Sequence, residues 1–565
     1  MARLQFRVLY RQFLFRMVDL ELLSRAAQGD INGLLGKFAA LLLFLSLWLG
    51  AIAFGVGNLP LPPAVRLIAV WAMEHFLIAT TMLVVGLFAV ISWDSMFPDR
   101  RDVLVLSPLP IRARTLFLSK AAAVATALCL AVGILNALSS LASPFGFAAA
   151  SGGLGMLRLF GVYWVTMLSA GAFNFGLVLS IQGLAQLLPR QQFLRVSATL
   201  QIAAFFLFVS MYFLQLPFAS PSDLLSIQNQ RLLGWLPSYW FFGLFQQLNG
   251  TMPEALALLA RRAWIGLAAS LGGAAAAYLI CYFRTLRKIA EQADILPGSA
   301  GLRWLPPFGG LLETAIAQFS IRTLFRSRRH RVTLSFYMGL AFAFVLFITK
   351  APVLQTMAPA GDPWHQVNPQ MMVASILVMC SAVVGMRVAF AMPIDLRANW
   401  IFRVTPIRGG QDCRNSVRRS LFALGVAPAW VASAAVFCWL WPWRPAAGHL
   451  TILGLIGIIL AEVCLQSFRK IPFTCSFLPG KTHYHIAIMA YVALVVLLGE
   501  GAEIERSALV ESGLRLATLL TVLGVVAALL RWRTDSLEEG IEFEDIPAPA
   551  VMVLGLTRDG TSPVS

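Results

Sequence analysis

An ionisable side chain costs free energy in hydrocarbon and tends to mark a route for protons, ions or substrate. Four such residues fall inside long apolar runs of this 565-residue sequence: Glu74 with its neighbour His75, Arg387 and Glu462. Glu74 and His75 together read either as part of an intramembrane polar path or as a buried contact between helices. Arg387 and Glu462 sit toward the ends of their runs, where a long side chain can snorkel or pair at an interface. A proton-coupled carrier gathers several acids near the bilayer midplane, and the sequence offers few. Asn136, Asn174, Gln182 and Gln186 add amides to the third and fourth runs, the kind of group that hydrogen-bonds one helix to another.

Other chemistry lacks its motif. A phosphate cradle needs GxxxxGK[ST] opening a helix after a strand; the nearest approach, CSFLPGKT at 475–482, has Cys475 for the first glycine and no strand signal. Cys475, His483 and His485 are zinc-ligand types. Without a Cys-x-x-Cys pair or a fourth acid they read as a polar turn at the membrane face. Neither GxSxG nor HExxH occurs, so the local signatures of serine and zinc hydrolases are missing. The seven cysteines are odd in number and scattered, which implies no disulfide framework. The chain is therefore expected to be no enzyme, to bind no metal or cofactor, and to draw energy from a partner or an ion gradient.

A repeated spacing is more informative. PDRRDVLVLSPLPIR begins at Pro98 and IDLRANWIFRVTPIR at Ile394, each just after the second apolar run of its half. At a constant offset of 296, Asp99 matches Asp395, Arg101 matches Arg397, and Pro110, Ile111 and Arg112 match Pro406, Ile407 and Arg408. Ahead of each half lies a further match, QFLFR at Gln12 to Arg16 and QFSIR at Gln318 to Arg322. Arg3, Arg7 and Arg11 recur at helical spacing, as do Phe6, Leu9, Phe13, Met17 and Leu20. A helix over 3–25 then has one cationic and one apolar face and is expected to lie in the headgroup plane.

The elements that must hold these loops are membrane spans. A content of 58% hydrophobic and 13% charged residues, with a mean hydropathy of +0.75, excludes an ordinary soluble protein. Apolar runs of about 20 residues, the length of a bilayer crossing, fall near 36–57, 67–93, 116–142, 156–188, 193–217 and 259–283. Six more follow near 333–357, 369–393, 417–442, 450–468, 485–499 and 509–531. The expected fold is an all-α polytopic membrane protein of about twelve transmembrane helices, in two parallel six-helix repeats. The first half, 1–290, holds an interfacial helix at 3–25 and an inner loop at 94–120. The second, 291–533, holds an interfacial helix at 311–331 and an inner loop at 394–419, and an acidic cytoplasmic tail occupies 534–565. With both termini inside, 34 of the 44 Lys and Arg residues fall on the inner side and nine on the outer, the bias that cytoplasmic loops carry. The net charge of +17 thus belongs to loops facing anionic lipid, not to nucleic-acid binding.

On these residues the chain resembles the permeases of type-2 ABC transporters (the ABC-2 type). DRRDVLVLSPLPIRARTLFLSK carries most of the likeness, with Leu106, Pro108, Pro110 and Lys120 in the expected places; RVTPIRGGQDCRNSVRR keeps the Pro-Ile-Arg amid more polar residues. The resemblance implies that each inner loop forms a coupling helix docking on a separate ATP-binding subunit. The residues it assigns to that docking are Asp99, Arg100, Arg101, Asp102, Pro110, Ile111, Arg112 and Arg114, with Asp395, Arg397, Pro406, Ile407 and Arg408 in the second half. It also implies an exporter in a bacterial inner membrane, two units fused as a single-chain pseudo-dimer, and ATP with Mg held by two partner subunits. Short re-entrant helices between the fifth and sixth spans belong to the same pattern. The stretch 218–258 has the length, and Trp235, Tyr239, Trp240, Phe241, Phe242 and Phe245 suit an interfacial aromatic belt. The second half is expected to have only a short outer loop at about 500–508, with Glu500, Glu503 and Glu505. The alternative is an ion-gradient-driven secondary transporter with six-plus-six symmetry, and a membrane scaffold without transport is a third class. The substrate is not specified by these residues.

Overall fold

The computed structural model describes residues 2–18, 31–98, 102–103, 106, 109–147, 152–214, 233–251, 254–291, 310–350, 367–392, 410–466, 471–473, 498–510 and 513–536. Among these residues there are helices and no strands. Eleven helical stretches, from Phe38–Asn58 to Gly513–Asp535, are long and apolar enough to cross a membrane, which makes the chain a multi-pass membrane protein of the all-α class. Helix is what such sequences must form, because a backbone amide in hydrocarbon finds its partner only within its own segment. These stretches coincide with eleven of the apolar runs; the remaining one, 485–499, lies almost wholly outside the described residues.

The chain divides into two compact units, Met1–Gly301 with Gly339–Ala358, and Leu302–Met338 with Pro359–Ser565. The first contains α1 (Ala2–Val18), α2 (Ile31–Asn58), α3 (Pro63–Ile91), α4 (Ala113–Asn136), α5 (Ser139–Phe147), α6 (Gly152–Leu187), α7 (Arg190–Leu214), α8 (Pro237–Asn249) and α9 (Ala257–Glu291). Its centre is α6, packed against α3 and α9. The apolar face of α1, with Leu9, Phe13 and Met17 buried, lies against α4, and Tyr10 Oη donates to Thr126 Oγ1 at 3.1 Å. The apolar face of this helix, read from the sequence as that of a helix in the headgroup plane, is therefore covered by the chain's own third span.

The third span is also broken. The run at 116–142 was expected as one helix, but α4 stops at Asn136 and α5 begins at Ser139. Ser46 Oγ on α2 accepts from the backbone N–H of Leu138 and of Ser139, at 3.0 and 3.2 Å. Asn136 Oδ1 accepts from Thr81 and Tyr163, joining three helices. Side chains thus replace the lost backbone bonds, as a break in a span requires. Beyond it α5 runs beside α2 through small residues, Gly50, Ala53 and Gly57 facing Ser139, Ala142 and Gly146, and close backbone approach of this kind is how membrane helices gain van der Waals contact.

The second unit contains α10 (Leu311–Arg326), the start of α11 (Arg328–Lys350), α12 (Pro369–Ala391), α13 (Gly410–Leu421), α14 (Ala427–Leu440), α15 (Trp443–Gln466), α16 (498–510) and α17 (Gly513–Asp535). A π turn, Phe422–Val426, joins α13 to α14 within one span. Pro428 has no N–H to offer the carbonyl four residues back, a usual reason for a helix to lose its regular ladder. The core gathers Met379, Val383, Phe390, Leu421 and Leu453 from α12, α13 and α15. Residues 500–508, expected as a loop, are helical in α16. Ala502, Glu505 and Ala508 are buried at a spacing of three, so one face of this charged segment is turned inward.

Candidate functional site

Asp102 stands where the second span of the first unit hands over to the third. Its side chain is 3% exposed and lies between two cations: Oδ2 accepts from Lys120 Nζ of α4 at 3.1 Å, and Oδ1 pairs with Arg16 of α1. Lys120 is itself buried, its Nζ 4.4 Å from the centre of the Phe13 ring. Both carboxylate oxygens are therefore engaged by the chain's own bases. This corrects the assignment of Asp102 to a docking surface: it is the knot that ties α1, the loop and α4. Beyond it Pro110, Arg112 and Arg114 are exposed and Ile111 is half-buried, on the approach to α4. Asp99, Arg100, Arg101, Asp395, Arg397, Pro406, Ile407 and Arg408 lie outside the described residues, as do Cys475, His483 and His485.

The second unit has a corresponding tie. Glu313, in the first turn of α10, accepts the backbone N–H of Gly310 at 3.0 Å and pairs with Arg419 at the end of α13. The helices α10 and α13 lie side by side. The helix that precedes the first span is thus joined to the beginning of the third in each unit, through the loop acid Asp102 in the first and by a direct ion pair in the second. Next to it Arg418 is buried. It donates to Glu462 Oε2 at 3.1 Å, to Asp535 Oδ1 at 2.7 Å and to Asn415 Oδ1 at 2.7 Å. Its Nε is 2.7 Å from Glu462 Oε1 but off the line of a hydrogen bond. A buried carboxylate and a buried guanidinium persist because each answers the other. Arg387 meets a similar need through the carbonyl of Cys464, 3.0 Å from its Nε.

At the far end of the spans each unit holds a second polar cluster. In the first, Glu74 Oε2 accepts from Gln246 Nε2 at 2.6 Å, His75 Nε2 and Ser238 Oγ are 3.0 Å apart, and the His75 ring stacks on Tyr239 at 3.9 Å. Ser238, Tyr239 and Gln246 all belong to α8. The pair thus fastens α8 to α3. Tyr239, Phe241, Phe242 and Phe245 are buried in protein and Trp235 is 82% exposed, which corrects the reading of this whole group as an interfacial belt. The part of that stretch from 218 to 232 lies outside the described residues.

In the second unit the cluster is Ser375 of α12, His449 of α15 and Glu505 of α16, all buried. Ser375 Oγ and His449 Nε2 are 2.9 Å apart, and His449 Nδ1 and Glu505 Oε1 are 2.6 Å apart. Ser375 also donates to the carbonyl of Met372 at 2.7 Å. While it does so, His449 Nε2 must carry the proton of their shared bond. The geometry can move one proton along a carboxylate–imidazole–hydroxyl line. Sequence reading missed this cluster: its members are 74 and 56 residues apart, and no local spacing announces them. Asn174 and Gln182 donate to the carbonyls of Met82 and Trp93, at 2.7 and 2.6 Å, as amides in spans were expected to do. No protein-family model, curated protein or solved structure matches this chain.

Proposed function

We propose that the chain is the membrane-spanning permease of an ATP-binding-cassette exporter, with hydrolysis left to separate subunits. One observation carries the reading: a tie from the helix before the first span to the start of the third occurs in both units, through the loop acid Asp102 between Arg16 and Lys120 in one and directly between Glu313 and Arg419 in the other. A pair of matching lever points suits a pair of ATPase subunits, one per unit. In this reading the inner loops dock on those subunits, and the exposed Pro110, Arg112 and Arg114 belong to the docking surface. Closure of the ATPase pair on ATP and Mg, both bound by the partner, then moves α1 and α4 together and biases the spans between inward and outward states. The charge sorting in the sequence supports cytoplasmic termini, and the resemblance to ABC-2 permeases supports a bacterial inner membrane.

The test is to tag the protein in its own cell, extract it gently and identify what copurifies. The expected result is an ATPase at about two copies per chain, lost when Arg101, Arg112, Arg397 and Arg408 are changed together to Glu; each exposed ion pair is worth up to about 1 kcal/mol, and reversing four charges adds like-charge repulsion against the partner. Isolation of the chain without any ATPase defeats the reading. A second reading has its own observation: the described partner of the buried Glu74 carboxyl is a neutral amide, Gln246, as in a group that loads and unloads a proton. That gradient-driven carrier predicts transport in vesicles that lack any ATPase, abolished by Glu74→Gln.

A further inference from the structure

The second unit contains a cleft of about 710 Å³ between the α13–α14 span and α15, with Arg531 of α17 at its mouth. Asn415, Arg418 and Arg419 line the same end, and Phe422, Trp430 and Ile458 line its length. We propose that this cleft binds an anionic glycerophospholipid, its phosphate at Arg419 and Arg531 and one acyl chain along Phe422, Trp430 and Ile458. The inference rests on the second unit alone and stands whether or not an ATPase drives the chain.

Charge argues for a phosphate. Arg418 is answered by Glu462 and Asp535, but Arg531 reaches Asp535 only at 4.0 Å and its side chain is 65% exposed. Arg419, paired with Glu313, keeps 46% of its side chain exposed. The exposed planar guanidinium of Arg531 is suited to phosphate oxygens, with Arg419 adding positive charge beside it. Shape argues for an acyl chain. From Phe422 to Trp430 the wall rises about 12 Å, most of the ~15 Å of one leaflet's hydrocarbon. The cations sit at the end of the spans, where headgroups lie, and the apolar wall continues from them into the span. The π turn Phe422–Val426 forms the part of that wall nearest the cations, and a bulge of this type widens a helix locally and recurs at functional sites.

Trp430 supplies the probe, since its ring faces the cleft while its Nε1 donates to Leu450 O at 2.8 Å. The full chain is placed in zwitterionic nanodiscs that contain a low fraction of phosphatidylglycerol or phosphatidylcholine with brominated acyl chains. The Trp430 signal is taken as the difference from Trp430→Phe. Brominated phosphatidylglycerol should quench it at a lower mole fraction than brominated phosphatidylcholine. Arg531→Gln should weaken that preference about fivefold and Arg531→Lys should retain most of it. Equal quenching by the two headgroups, or a preference unchanged in both Arg531→Gln and Arg419→Gln, would overturn the proposal and leave only annular lipid.

Discussion

Single residues decide whether charge inside this protein is tolerated. Asp102 is surrounded by its own bases, so Asp102→Ala leaves Lys120 buried without its counter-charge and should cost about 3–5 kcal/mol. The double change Asp102→Leu with Lys120→Met should recover most of that loss, read as thermal unfolding in one detergent; an equal loss in both variants refutes the pairing. His449 poses a similar test. His449→Ala strips Glu505 of its described partner and should lower the melting temperature clearly more than Ser375→Ala, which removes one hydrogen bond of about 0.5–1.5 kcal/mol. The resemblance of the inner loop brought Asp102 into view, but not its role, because Lys120 and Arg16 lie 18 and 86 residues away. Glu74 and His75 were visible as charge in an apolar run. That they hold α8 against α3 depends on Gln246 and Ser238, 172 and 163 residues distant.

Elements were more legible than sites where composition alone decides them. An apolar run of bilayer length has one stable answer, and eleven such runs became helices long enough to cross. Charged segments were misread for the reciprocal reason. Glu500, Glu503 and Arg506 give 498–510 a loop-like composition, yet the helix forms because its other face is buried. On the exposed face the hydrogen bond from Arg506 holds the Glu503 carboxyl below its usual range. That contribution is complete above the ordinary carboxylate range and lost as pH falls through the lowered value. The α2–α5 contact offers a sharper test. A Cβ added at Gly57 would overlap the Gly146 backbone, whereas one added at Gly36 meets nothing within 4 Å. Gly57→Ala should therefore destabilise by about 1–3 kcal/mol, and Gly36→Ala should be neutral or slightly stabilising.

For the whole molecule the decisive quantity is which side each loop faces. Single cysteines placed at Arg112 and at Arg158 in a cysteine-free background should be labelled from opposite sides of a sealed membrane, Arg112 from the cytoplasm. Labelling of both from one side removes the alternation on which the parallel repeat depends. The offset matches between Asp99 and Asp395, and between Arg112 and Arg408, made two halves an expectation of the sequence. The tie within each half was not, because its acid changes place: Asp102 belongs to the loop, whereas Glu313 belongs to the leading helix.

That exchange of sign makes the halves non-interchangeable parts. A chimaera with the leading helix of the first half transplanted before the second would bring Arg16 toward Arg419 with no acid between them. The reverse graft would set Glu313 beside Asp102. The two fastenings join comparable elements yet carry their negative charge on opposite partners, so neither leading helix can serve in the other's place.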